Sequence, residues 1–203
     1  MTYLSKVELI MKIADEISGC VKCPLWRGRK KAVPGEGKID AKVFFLGEAP
    51  GYWEDVKGLP FVGAAGKVLD WLLESIDLSR DSVFITNIVK CRPPENRAPR
   101  SVEVETCTSL YLNRQVDLIK PEVLATLGRH STAYILSKVG VEKVANITEC
   151  RGKVYKVRFL GLPLVVMPMY HPASVLHNPK YRGGLESDFR LLKKELRKRR
   201  IIS

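Results

Sequence analysis

The chain has no apolar run long enough to cross a bilayer, and no secretory leader is expected. Charges at Lys6, Glu8, Lys12, Asp15 and Glu16 interrupt the segment from Met1 to Gly19, whereas a spanning helix needs about 20 apolar residues. Cytoplasmic residence with no membrane association is the expectation. No internal repeat and no low-complexity linker divides the 203 residues. A single domain over residues 1–203 is therefore expected, long enough to bury a core. With 45% apolar and 28% charged residues, the chain falls among ordinary soluble globular proteins. Acidic residues are scarce, 22 Asp and Glu against 34 Lys and Arg, a net charge of +12. Such an excess favours a polyanionic partner, nucleic acid before others, although a basic protein that merely stays soluble has the same balance. The run Arg190, Lys193, Lys194, Arg197, Lys198, Arg199 and Arg200, facing only Glu195, reads as a solvated basic helix.

Four of the five cysteines fall as Cys20-x-x-Cys23, then Cys91, then Cys107. A tight local pair and two distant thiols are what a tetrathiolate site needs, and such a site would staple the N-terminal segment to the body of the protein. Two disulfides are disfavoured in a chain with no mark of secretion. Zinc and an iron–sulfur cluster both accept four thiolates, so spacing does not choose between them. Cys150 is left over and reads as a small buried residue.

Leu4, Val7, Met11, Ala14 and Ile17 recur at helical spacing, with Gly19 as a stop. Lys42–Leu46, Ser82–Val89 and Glu122–Leu127 read as buried strands, and Val154–Phe159 and Leu164–Met169 as a strand pair. Helical patterns follow the Gly63-Ala-Ala-Gly66 turn, run from Ser101 as a cap towards Ile119, and cover Ser131 to Val139. Gly28 to Asp40 reads as a surface loop. Strands alternating with helices predict an α/β domain with a largely parallel, buried sheet.

Ligands of open α/β sheets bind beyond the C-terminal strand ends. Three unusual segments follow strands here: Gly47-Glu-Ala-Pro-Gly51, Cys91-Arg-Pro-Pro-Glu-Asn-Arg97 after Asn87, and His171-Pro-Ala-Ser174. Gly58-Leu-Pro-Phe-Val-Gly63 can bend back over the first. Each is weak alone, since Gly-Pro turns are common and a lone His after a strand is usually structural. Their shared edge is what points to a site.

Together with the four cysteines, GEAPG, GLPFVGAAG, TNIVKCRPPENR and HPA resemble the family-four, iron–sulfur uracil-DNA glycosylases, over nearly the whole chain from Cys20 to about Asn178. The resemblance implies a three-layer α/β/α fold and a 4Fe–4S cluster on Cys20, Cys23, Cys91 and Cys107. It also implies hydrolysis of the uracil–deoxyribose bond in single- or double-stranded DNA. A base inside a duplex is out of reach, so the nucleotide is flipped into a pocket. Phe61 would then stack on the uracil. Asn87 would accept from N3–H and donate to O4, a pattern that cytosine reverses. His171 would donate to O2 as negative charge builds on the leaving base, and backbone groups of Glu48, Ala49, Pro50 and Gly51 would hold the uracil edge.

Family-one enzymes carry an aspartate where this chain has Ala49, so the resemblance moves the water-orienting role to Glu48. They also exclude thymine with a tyrosine where this chain has Gly51; Glu54 is the candidate for methyl exclusion, and a glycosylase of broader range becomes an option. Leu176 is a candidate wedge into the gap left by the flipped base, with an anchoring role as the alternative. Arg92, Arg97 and Arg100 are candidate phosphate contacts. No lysine occupies a recognised nucleophile position, so a monofunctional enzyme is expected. A monomer and, at family level only, a sliding-clamp partner are further expectations. The competing reading is a non-catalytic, metal-stapled module that binds damaged or single-stranded DNA; it has no need of a leaving-group donor such as His171.

Overall fold

The computed structural model describes residues 5–141 and 146–203. Its frame is a six-stranded sheet: β1 (Glu36–Gly37), β2 (Val43–Gly47), β3 (Phe84–Asn87), β4 (Val123–Leu127), β5 (Tyr155–Phe159) and β6 (Leu162–Met169), in the order β1-β3-β2-β4-β6-β5. The four central strands are parallel, and short β1 and β5 close the edges antiparallel. Every residue of β2, β3 and β4 is buried, as expected for strands covered on both faces. Side chains alternate across β2: Phe44 and Leu46 enter one core, Val43 and Phe45 the other. The first core lies under α1 (Lys6–Ser18), α4 (Ser101–Cys107), α5 (Asn113–Ile119) and α6 (Arg129–Lys138). The second is covered by α3 (Ala64–Glu74) and α9 (Arg182–Lys198). The short helices α2 (Tyr52–Lys57), α7 (Ile147–Cys150) and α8 (Ala173–His177) sit in the connections. The result is the three-layer α/β/α arrangement, and no helix among the described residues is long and apolar enough to cross a membrane.

Several expectations need correction. Leu4 lies outside the described residues. Val7 and Met11 are exposed, and α1 instead packs through Ile10, Ile13 and Ile17. That stripe also repeats at helical spacing, and tertiary docking rather than periodicity selects it. The cap of α4 is one residue earlier than Ser101: the Arg100 N–H donates to the Glu103 carboxylate at 2.8 Å. The helix towards Ile119 is widened at Thr108–Leu112 into a π-helical turn, immediately after Cys107, a feature frequent at functional sites. The loop after Gly28 contains β1 and buries Ala32 and Val33. The basic C-terminal run is one exposed face of α9, whose other face sinks Leu185, Phe189, Leu192 and Leu196 into the second core. Asp188 of α9 is buried too; it pairs with Arg151 and accepts the Tyr170 N–H at 3.1 Å, pinning the strand end just before His171. Cys150 is half-buried rather than buried.

Candidate active site

The C-terminal ends of β2, β3 and β6 open into one cleft of about 500 Å³. Its lining brings together Glu48, Ala49, Pro50, Gly51, Glu54, Phe61, Asn87 and His171, with Asn96, Arg97 and His177 at the rim. Gly47 and Asn87 are register partners on neighbouring strands. A Cβ at Gly47 would lie 2.2 Å from Asn87 Oδ1 and 2.8 Å from Phe61 Cζ, so only glycine leaves these two side chains room. Asn87 is buried, and its side-chain amide faces the cleft.

His171 has a defined protonation state. The Ala173 N–H donates to Nδ1 at 3.1 Å, so Nδ1 is an acceptor and the ring proton resides on Nε2. Burial lowers the imidazole pKa to about 4, against the opposing pull of Glu48 and Glu54. A neutral ring with a free Nε2–H therefore stands in the cleft at pH 7. Phe61 stacks on it with ring centroids 5.6 Å apart.

Phe61 adopts φ +50°, a left-handed conformation costly for an aromatic residue. Arg80 supports it, donating to Phe61 O and to Pro60 O (3.1 Å) while pairing with Glu36 and with Asp70 (2.6 Å). Glu54 joins the two cleft loops: one oxygen accepts from Val62 and Gly63 N–H at 2.8 Å, the other from Gly51 N–H at 3.1 Å. A Cβ at Gly51 would meet Glu54 Oε2 at 2.7 Å, so a bulky residue there would dislodge this carboxylate.

Glu48 reaches the cleft from the end of β2, and His130 holds it. His130 Nδ1 lies 2.6 Å from Glu48 Oε1, and Arg129 donates to His130 Nε2 at 2.9 Å. With Nε2 accepting from a guanidinium, Nδ1 carries the proton and donates to the carboxylate. His130 went unnoticed in the sequence, although Gly128-Arg-His follows β4 as the other site segments follow their strands.

Behind the cleft, Cys20, Cys23, Cys91 and Cys107 line a second, apolar cavity with Ile17, Leu25, Val89, Lys90, Thr106 and Tyr111. All are free thiols. Burial raises the pKa of Cys23 and Cys91 and pushes Cys107 up to about 12. Arg29 donates to Cys91 Sγ at 3.1 Å. Lys90, fully buried, donates to Thr86 Oγ1 (2.6 Å) and to the Asn87 carbonyl (2.8 Å), and burial lowers its pKa to about 7.

Residues 34–197 match the profile of the uracil DNA glycosylase superfamily. The type-4 uracil-DNA glycosylase of Saccharolobus solfataricus is 52% identical over 91% of this chain and 85% of its own. That of Archaeoglobus fulgidus is 46% identical over 91% and 92%. This chain is a type-4 uracil-DNA glycosylase family member. The likeness extends more faintly to a type-5 uracil-DNA glycosylase of Thermus thermophilus, 31% identical over 64% of this chain and 73% of that protein.

Against that family background, several residues marked in the sequence stand elsewhere than expected. Arg97 forms a two-pronged pair with buried Glu103, at 2.7 and 2.9 Å, and so braces the loop instead of offering its fork to phosphate. Arg92 bonds Asn96 Oδ1 at 2.8 Å and lies over the Tyr52 ring. Arg100 is exposed at the cap of α4. Glu54 has its oxygens committed to backbone donors, which makes any part in methyl exclusion indirect. Pro50 has no N–H and that of Gly51 is taken, so the loop's backbone donors narrow to Glu48 and Ala49. Leu176 is half exposed on α8, the helix whose Ala173 and His177 line the cleft.

Proposed function

We propose that this family member excises uracil from DNA. The nucleotide is turned out of the stack into the cleft and its N-glycosidic bond is hydrolysed, leaving an abasic site for base excision repair. The state of His171 is the observation that carries the reading. Bond cleavage leaves positive charge on the sugar and negative charge on the departing uracil. The neutral ring offers Nε2–H to O2 of that anion, and its donor is already oriented by Ala173. Phe61 supplies the stacking face. Asn87 reads N3–H and O4, and the reversed pattern of cytosine would leave buried groups unpaired. Glu48, held by His130, orients the attacking water. The whole chain acts as one domain, with Leu176 entering the gap in the stack.

The thiol cavity fits a 4Fe–4S cluster. Burial holds the sulfurs of Cys23, Cys91 and Cys107 away from the thiolate form, and the charge of a metal centre would reverse that preference. Four thiols spread around a cavity suit a cluster whose irons are bound separately. When bound, the cluster would supply a structural tie between the N-terminal segment, the β3 loop and α4.

The deciding experiment is incubation with an oligonucleotide bearing one uracil, with thymine and cytosine counterparts, followed by alkaline cleavage. Scission at uracil alone is the expected result. No scission by iron-loaded protein would overturn the reading in favour of a DNA-binding module.

A further inference from the structure

A second concavity, of about 540 Å³, lies between the loop after α1 and the C-terminal end of α2. Arg29, Lys30, Lys31 and Lys57 line it with exposed Trp26, and no carboxylate is among its lining residues. Asp55, two residues before Lys57, is buried and accepts the Lys30 N–H at 2.9 Å, fixing the wall of the groove.

The groove is not isolated from the cleft. Tyr52, exposed at the start of α2, has Lys30 Nζ 5.0 Å from its ring centroid and the Arg92 guanidinium 5.2 Å from it. Arg92 in turn bonds Asn96, which lines the cleft rim. An unbroken line of cations and aromatic faces thus leads from the mouth of the cleft over Tyr52 into the lysine groove. Cations spaced along a groove, with aromatic rings between them, are what binds a nucleic-acid strand without reading its sequence.

Resting on the proposed uracil excision, the geometry points to this groove as the track for the DNA strand flanking the flipped nucleotide on one side. Lys31 and Lys57 take backbone phosphates there, and Tyr52 is the platform for a neighbouring base. Arg97, whose fork is tied to Glu103, is outside this track.

The test is binding of single-stranded, uracil-free oligonucleotides, which does not depend on excision. Fluorescence anisotropy compares a strand of about four nucleotides with one of about sixteen, a range that spans typical single-strand site sizes. In the Lys31→Ala/Lys57→Ala variant, the ratio of long-strand to short-strand affinity is expected to fall about tenfold. The slope of log affinity against log salt should also flatten by about 0.7 per lysine removed. The Lys153→Ala/Lys156→Ala variant, which removes the same charge beside the edge strand β5, controls for overall electrostatics and is expected to change neither quantity. Equal effects of the two variants, or an unchanged ratio and slope in the groove variant, would overturn the track. Failure of the wild-type protein to excise uracil would instead count against the activity itself. Thermal melts of both variants separate misfolding from lost contacts, and Tyr52→Ala, which removes no charge, is expected to weaken long-strand binding without changing the salt slope.

Discussion

The cleft and the thiol cavity lie at either end of one short segment, Asn87 to Cys91, yet they are prepared in opposite ways. In the cleft each group with a proposed role is already held in the form that role needs. His171 is neutral with its donor free, Glu48 is gripped by His130, and Glu54 clamps both loops through backbone N–H groups. In the cavity burial drives Cys23, Cys91 and Cys107 away from the thiolate form. The cleft groups are held by the protein's own hydrogen bonds; the cavity is an apolar space lined by thiols, which the proposed cluster would convert to thiolates. Lys90 joins them, with its backbone beside Cys91 and its ammonium under the Asn87 carbonyl. The comparison teaches that strand-end geometry can organise the cleft without help, whereas the cavity, on the proposed reading, would gain its stability from the cluster it holds.

The largest effect should come from breaking the cavity. A Cys20→Ser/Cys23→Ser variant is expected to lose iron and about 5 kcal/mol of stability, on the order of 10–20 °C in Tm. Limited proteolysis should then cut between Gly19 and Gly35, while the sheet core stays intact. Because the cleft is complete by itself, excision measured well below the new Tm should suffer less than it does in His171→Ala. A greater loss would show that the cluster shapes the cleft, and the comparison would fail.

The next effect tests the cleft. His171→Ala is expected to slow single-turnover excision by about 10²–10³, with far less change in DNA affinity. Equal losses in both would favour a binding module. The pH profile sharpens the point. A neutral donor with a pKa near 4 keeps the rate contributed by this group constant from pH 8 to about pH 5; below that, protonation of Nδ1 sets an N–H against the Ala173 N–H and turns the ring off its aim. An imidazolium donor would do the reverse, failing as pH rises through its pKa. The same shift bears on stability. The folded pKa lies below the unfolded value of about 6.5, so the unfolded chain binds the proton first. Stability from this group is full above pH 6.5 and falls as pH drops towards 4.

Much of this was readable from local pattern. Strand positions follow from short apolar runs, and the segments after them carry the site because an open sheet exposes its strand ends. Partners distant in sequence were not readable. Nothing local to Arg97 says that buried Glu103 will take its fork. Nothing local to Glu54 names the N–H groups of Val62 and Gly63 as its occupants. The face of α1 was misjudged for a related reason: two stripes share the helical period, and only docking onto the core separates Ile13 from Met11. His130 was missed because a histidine after Gly128 looks ordinary until Glu48 is placed beside it.

That pair gives the smallest expected effect and the finest test of a prepared cleft. If His130 acts by aiming the Glu48 carboxylate, His130→Ala should slow excision about tenfold, equivalent to one hydrogen bond of about 1.4 kcal/mol. His130→Asn should recover most of that loss, since its amide nitrogen can stand near the position of Nδ1. The decisive comparison is with Glu48→Gln. In a double-mutant cycle, removing His130 from a protein that already lacks the carboxylate should cost little more, because the imidazole has no other route to the reaction. Additive losses would give His130 a separate role, most simply a direct contact with DNA, and Glu48 would then depend on the β2 end alone for its position.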